Sequence, residues 1–242
     1  MKSVFVALFL LLFFIISIPL FLVEYIIGKF NPHLQVKTSQ AIVVGAFNFI
    51  LFGCGIKKTV IGYENIPKDE AVLYVSNHRS YFDILIGYTS IPHLTGFIAK
   101  KEMEKVPFIR VWMRFLNCLF LDRDNIREGL KTILEGIELI KKGYSVFISP
   151  EGTRNQEKDM LPFKEGSLKI AEKSGCAIIP VSLSNTDNLL ETHMPWITKG
   201  HVIIEFGKPI YPKDLDKETR KFIGSYVQNI IKETLEKNED LV

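Results

Sequence analysis

An α/β domain on a largely parallel or mixed sheet, covered by helices and preceded by an N-terminal two-helix membrane anchor, is the architecture predicted by this 242-residue sequence. Three observations carry the prediction. From residue 58 onward, short runs rich in Val, Ile and Phe alternate with longer stretches of helical periodicity. Most of the short runs are too apolar to have a wet face, as expected of strands covered on both sides. Ahead of them, residues 3–23 carry no charge between Lys2 and Glu24, and a second uncharged run, 38–56, lies between Lys37 and the pair Lys57 Lys58.

A helix over 3–23, at about 1.5 Å per residue, would reach across or deep into a hydrocarbon core about 30 Å thick. A secretory signal peptide is the competing reading, since Lys2 followed by an apolar core is how such peptides begin. The run is longer than a usual signal core, however, and no small-x-small cleavage site follows Pro19, so it reads as an uncleaved anchor. The second run is more broken, with Gly45, Asn48, Gly53 and Gly55. Joined by the polar segment 24–37, the two helices make a hairpin that returns the chain to its starting side. Lys2 and Lys57 Lys58 favour the cytosol for that side, against the weaker vote of Lys29 and Lys37. Hydropathy leaves open whether the hairpin spans the bilayer or enters one leaflet. The composition changes near residue 57, which divides the chain into an anchor, 1–57, and an α/β domain, 58–242.

Within the domain, strands are expected over 59–63, 71–75, 96–99, 118–121, 145–148, 178–183 and 202–206. Helices are expected over 81–88, 102–116, 126–142, 166–174 and 215–237. The clearest, 126–142, repeats Ile126, Leu130, Ile133, Leu134, Ile137 and Ile140 at intervals of three and four and stops at Gly143. In 102–116, Phe108, Trp112 and Phe115 alternate with Arg110 and Arg114, which suits either a membrane interface or an ordinary helix packed on the sheet.

The net charge of +3 is too small, and basic runs too short, for a nucleic-acid partner. Three cysteines, Cys54, Cys118 and Cys176, are far apart with no C-x-x-C, so neither a disulfide framework nor a metal site is expected.

The chemistry-bearing stretch is Asn77 His78 Arg79 Ser80 Tyr81 Phe82 Asp83, at a strand-to-helix junction. A histidine there exposes its imidazole at the end of a sheet, and a carboxylate five residues on can accept a hydrogen bond from one ring nitrogen, the outline of a general-base pair. Ser80-x-x-Asp83 is also a capping-box spacing, and the two readings are compatible because a cap would hold Asp83 in the first turn. A second cluster, Ser149 Pro150 Glu151 Gly152 Thr153 Arg154, follows another strand, where α/β proteins put their ligands. Gly152 lets backbone approach a ligand and Arg154 offers a planar fork suited to phosphate oxygens. A solvated turn with a surface arginine is the alternative.

Together, Asn77 His78 xxxx Asp83, Phe120 Leu121 Asp122 Arg123, Pro150 Glu151 Gly152 Thr153 Arg154 and Ile179 Pro180 Val181 resemble, in order and spacing, the four motifs of glycerolipid acyltransferases. The likeness is to the 1-acylglycerol-3-phosphate (lysophosphatidic acid) acyltransferases of bacterial membranes and covers roughly residues 57 to 210. The intervening Pro162 Phe163 Lys164 Glu165 Gly166 is similar to the family's segment after the third motif.

The resemblance implies that His78 is the general base and Asp83 orients it, while Glu151, Gly152, Thr153 and Arg154 hold the substrate phosphate. Arg123 and Lys100 are similar to basic residues that the family uses near that phosphate, although a surface arginine beside Asp122 and Asp124, and a strand-end lysine, need no ligand. Pro180 and Val181 shape the acyl pocket or are plain core. The implied reaction moves an acyl chain from a thioester of acyl carrier protein or coenzyme A to the sn-2 hydroxyl of lysophosphatidic acid, with no cofactor and no metal, at the cytoplasmic face of the cell inner membrane, among membrane lipids. No G-x-S-x-G elbow occurs and no cysteine lies in these motifs, which argues against an acyl-enzyme. Glycerol 3-phosphate or another lysolipid as acceptor, a non-catalytic lipid-binding protein and a tethered hydrolase are the alternatives.

Overall fold

The computed structural model describes residues 1–157 and 159–242. Seven strands form one mixed sheet in the order β1-β7-β6-β2-β5-β3-β4. They are β1 (Lys57–Ile61), β2 (Leu73–Ser76), β3 (Thr95–Lys100), β4 (Leu119–Leu121), β5 (Ser145–Ile148), β6 (Ile178–Ser184) and β7 (His201–Phe206). Strands β6, β2, β5, β3 and β4 are mutually parallel, β7 runs antiparallel to β6, and β1 pairs parallel with β7. Every residue of β2, β5 and β6 is buried, as their apolar sequences require of central strands covered on both faces.

The faces carry separate cores. On one, Leu73, Val75, Val146, Ile148 and Ile178 pack against α5 (Ile126–Lys141), α6 (Lys169–Ser174) and α8 (Ile223–Asn238) through Ile137, Ile140, Ile170, Ile223, Val227 and Ile231. On the other, Tyr74, Phe147, Phe97 and Ile179 pack against α3 (Phe82–Tyr88), α4 (Ile109–Phe115) and the N-terminal helices. Tyr88, Phe97 and Phe147 stack with centroids 4.2 and 4.3 Å apart.

Two expected helices are interrupted, and a third packs on a narrower face than its periodicity suggests. The expected helix over 102–116 breaks into a 3₁₀ turn at Lys101–Lys105 and α4, because Pro107 drives Val106 into an extended conformation (φ −88°, ψ 108°) and Phe108 then turns at φ 58°. The expected helix over 215–237 is two, α7 (Lys217–Lys221) and α8, separated at Phe222; it starts beyond Leu215 because Asp216 caps the amides of Glu218 and Thr219. On α5, Ile137 and Ile140 are buried, whereas Ile126, Leu130 and Leu134 lie exposed, so the periodic stripe is wider than the face that packs.

The N-terminal hairpin consists of α1 (Lys2–Phe30) and α2 (Pro32–Gly53), joined at Asn31 alone. The polar segment expected as a loop is helical because its polar groups pair with one another. Glu24, 2 % exposed, accepts Thr38 Oγ1 at 2.8 Å and Ser39 Oγ at 3.0 Å, and Gln35 Nε2 donates to the Glu24 carbonyl. At Gly28 a side chain would collide with Gln35, so the glycine permits this approach. Both helices are long and apolar enough to cross a membrane by length and composition.

The hairpin lies along the domain. Ser3 Oγ donates to the Pro195 carbonyl and accepts from the Ile197 amide, Ser17 Oγ accepts from Trp112 Nε1 at 2.9 Å, and His33 meets the Tyr144 hydroxyl. Phe13 and Phe21 pack on Trp112. The aromatic face of α4 is therefore roofed by α1, while Leu8, Leu11, Leu12, Ile15, Ile18 and Leu22 face outward.

Candidate active site

The parallel strands deliver the candidate residues to one edge of the sheet, at their C-terminal ends. His78 follows β2 and donates or shares a proton with Asp83, Nδ1 to Oδ2, at 2.8 Å. The same carboxylate oxygen accepts the backbone N–H groups of Arg79 and Ser80, both at 2.8 Å. One side chain in the first turn of α3 thus ties down the turn ahead of the helix and contacts the imidazole. The capping box is only half formed, because Ser80 Oγ accepts from the Phe82 amide and not from that of Asp83. Asp83 is 2 % exposed and His78 19 %, so the carboxylate is shielded while the ring reaches the surface. His78 Nε2 makes no hydrogen bond among the described residues.

The loop after β5 holds the histidine's backbone. Glu151 Oε1 accepts the His78 N–H at 2.9 Å, and the Asn155 N–H donates to the His78 carbonyl at 2.7 Å. The second carboxylate oxygen of Glu151 accepts the Leu161 amide at 3.0 Å. Glu151 is 5 % exposed, and burial pushes its pKa up against the lowering effect of these donors. Asn77 fastens the other side, its amide bonded both ways to the backbone of Leu183 in β6. Glu151 therefore holds the backbone of His78 with its oxygens occupied by amides, an unsuitable posture for gripping an anion.

The cationic residues divide into two groups. Arg154 stacks on the Tyr81 ring at 3.6 Å and donates to Glu191 at 3.2 Å; Glu191, 3 % exposed, also accepts the Tyr81 amide at 2.8 Å. In the second group, Gly152 turns at φ 78°, and a side chain there would place its first carbon 3.0 Å from Lys164 Nζ and 3.8 Å from Arg123 Nε. Burial lowers the Arg123 pKa, and Nε is buried without a hydrogen-bond partner. Lys100, half exposed, pairs with Glu102 at 2.8 Å, and the Thr153 side chain is exposed. Of the residues picked out from the sequence, His78, Asp83 and Glu151 are in one bonded network, Gly152 and Arg123 are adjacent, and Arg154 and Lys100 have local carboxylate partners.

Tyr81, Glu191 and Lys164 are the site residues that motif spacing did not single out by role. Tyr81 and Lys164 lie within stretches already singled out, so only pairing in space could assign them; Glu191 lies in a 3₁₀ turn, Glu191–His193, without a sequence signal. Among the described residues no group of three or more His, Cys, Asp or Glu side chains converges as a metal site. Chemically, the edge offers a base with an open nitrogen, a fixed tautomer partner and flanking cations for an anionic substrate.

Comparison with known proteins gives a consistent result. Residues 57–184 match the Acyltransferase family model. A 1-acyl-sn-glycerol-3-phosphate acyltransferase of Saccharomyces cerevisiae is 32 % identical over 73 % of this chain and 58 % of its own length. The enzyme of that name from Borreliella burgdorferi is 37 % identical over 57 % of this chain and 55 % of its own. The crystal structure of the 1-acyl-sn-glycerophosphate (LPA) acyltransferase PlsC from Thermotoga maritima superposes with a TM-score of 0.76 at 28 % identity, covering 98 % of this chain and 97 % of that one. The chain spans about half the length of the first curated relatives it matches.

Proposed function

The chain belongs to the acyltransferase family, and we propose that it transfers an acyl chain from a thioester to the sn-2 hydroxyl of lysophosphatidic acid, giving phosphatidic acid. The observation that carries the reading is the 2.8 Å contact of His78 Nδ1 with Asp83, which leaves Nε2 open at the sheet edge. With the Nδ1 proton directed to Asp83, Nε2 is the basic nitrogen. It takes the hydroxyl proton as the oxygen attacks the thioester carbonyl, and Asp83 stabilises the imidazolium that forms. The tetrahedral adduct collapses with cleavage of the carbon–sulfur bond, and the imidazolium returns the proton to the departing thiolate. No acyl-enzyme is required, and the thiol belongs to acyl carrier protein or coenzyme A.

Arg154, Arg123, Lys100, Thr153 and the Gly152 backbone serve the acceptor's phosphate. Glu151 serves it indirectly, by setting the loop that carries these groups against His78. Residues 1–57 act as the membrane anchor. The contacts of Ser3, Ser17, Phe21 and His33 with the domain support an anchor lying flat in one leaflet, since a spanning α1 would draw α4 and its charged residues into the bilayer with it. The outward Leu and Ile side chains of α1 meet the acyl chains, and the domain stays on the cytoplasmic face of the inner membrane, where the lipid substrate need only lift its head group to His78.

The test is product analysis with purified protein, lysophosphatidate and a labelled acyl thioester, with glycerol 3-phosphate and other lysolipids as competing acceptors. Labelled phosphatidate from the wild type and its loss in His78→Ala are expected. Retention of near wild-type transfer by His78→Ala would overturn the mechanism, transfer only to another acceptor would overturn the substrate, and release of free fatty acid without any acceptor would identify a hydrolase.

A further inference from the structure

We propose that Lys164, which lies outside the four motifs, is a ligand of the acceptor's phosphate, closing with Arg123 over the backbone of Gly152. The inference rests on the acyl-transfer reading for the identity of the ligand, and on geometry for the site. Two cations face one methyl-sized gap at Gly152, Lys164 Nζ at 3.0 Å and Arg123 Nε at 3.8 Å from the point where a side chain would begin. Like charges held this near destabilise each other unless an anion lies between them. Neither side chain has a hydrogen bond or ion pair among the described residues, and Arg123 Nε is buried.

The carboxylates that could neutralise the pair are engaged elsewhere or open to water. Glu102 is bonded to Lys100, Asp122 to Lys101, and Glu151 to two backbone amides. Glu165, next in sequence to Lys164, accepts the amides of Gly224 and Ser225 at the start of α8. At longer range Glu102 acts on Arg123, and so does Asp124, which is exposed; neither forms an ion pair with it. Lys164 is held in place by its backbone, its N–H donating to the Pro150 carbonyl at 3.2 Å, which ties it to the loop carrying Glu151 and hence to His78. A phosphomonoester bound between the two cations over the Gly152 backbone gains two charge-assisted partners. Arg154, already stacked on Tyr81 and bonded to Glu191, stands apart from this pair.

The inference is tested by calorimetric titration of lysophosphatidate in non-ionic micelles into wild type, Lys164→Met and Lys164→Arg, with uncharged 1-acylglycerol and inorganic phosphate as further probes. Lys164 is exposed, and an unchanged melting curve checks that the variants fold. Lys164→Met should weaken lysophosphatidate about tenfold, with Lys164→Arg within about threefold of wild type. 1-Acylglycerol should bind all three alike, and phosphate should compete for the wild type better than for Lys164→Met. In turnover, KM for lysophosphatidate should rise with kcat nearly unchanged. Equal lysophosphatidate affinity in wild type and Lys164→Met overturns the inference, as does an equal loss for 1-acylglycerol. If the wild type transfers no acyl groups but binds lysophosphatidate in a Lys164-dependent way, the activity reading fails and this inference stands. If the wild type does not bind lysophosphatidate, both fail.

Discussion

Glu151 reaches His78 through the backbone, its Oε1 accepting the His78 N–H at 2.9 Å while Oε2 accepts that of Leu161. Glu151→Gln keeps the shape but turns an amide NH₂ toward one of these N–H groups. Stability should fall by about 1–3 kcal/mol, the cost of a buried unsatisfied donor, and kcat should fall while KM for the acceptor changes little. Thermal melts and steady-state kinetics check this; a KM effect at constant kcat would make Glu151 a substrate ligand after all.

Asp83 divides one oxygen among His78, Arg79 and Ser80. Asp83→Asn removes the charge that favours the imidazolium and should lower kcat by roughly 10²–10⁴, the range expected when general-base catalysis is lost. Circular dichroism should still report a folded chain, whereas an unfolded variant would assign the aspartate a mainly architectural role.

Glu191 is bonded to Arg154 and to the Tyr81 amide beneath the stacked guanidinium. Glu191→Ala should raise KM for lysophosphatidate about tenfold and add little to Arg154→Ala in a double-mutant cycle. Strictly additive effects would separate the two residues.

The outer and inner faces of the hairpin should respond differently. Leu12→Glu, on the exposed side of α1, should weaken binding to lipid vesicles with little change in the melting temperature in detergent. Trp112→Ala removes a buried ring under α1 and should cost about 3–5 kcal/mol. Vesicle flotation and thermal denaturation distinguish these outcomes from a hairpin that is exposed on all sides.

Burial lowers the Lys58 ammonium to about 8, with its donors on the carbonyl and hydroxyl of Thr89 and no carboxylate partner among the described residues. Between that value and the ordinary lysine range, the unfolded chain holds a proton that the folded one has released, so stability rises with pH across this window. Relative to Lys58→Met, the wild type should gain about 1 kcal/mol from pH 8 to 10, after allowance for partial exposure. Parallel denaturant titrations at the two pH values measure the difference; equal slopes would place Lys58 in effective contact with water.

The pattern of apolar runs determined the strand inventory and the covered sheet, because burial on both faces keeps charged residues out of β2, β5 and β6 and leaves serine as their only hydrophilic side chain besides the Tyr74 hydroxyl. The spacing of His78 and Asp83 determined their contact, because both lie within one strand-to-helix junction and local geometry suffices to join them. Local signals also overrode periodicity: Pro107 interrupted one expected helix, and Asp216 set the start of another beyond Leu215, where apolar periodicity placed it.

What only the tertiary structure decided is what depends on partners distant in sequence. Glu151, grouped with phosphate ligands by its place in the motif, holds the backbone of His78 because β5 pairs beside β2. Glu24, which looked like the start of a polar loop, is buried because Thr38 and Ser39 return to meet it. Glu191 carries no sequence signal, and Lys164 lies in a stretch similar to the family's but without an assigned role; only their neighbours in space, Arg154 and Arg123, draw attention to them. A charged side chain's sequence fixes neither its partner nor its solvation, and those two decide whether it holds the fold, orients a base or waits for an anion.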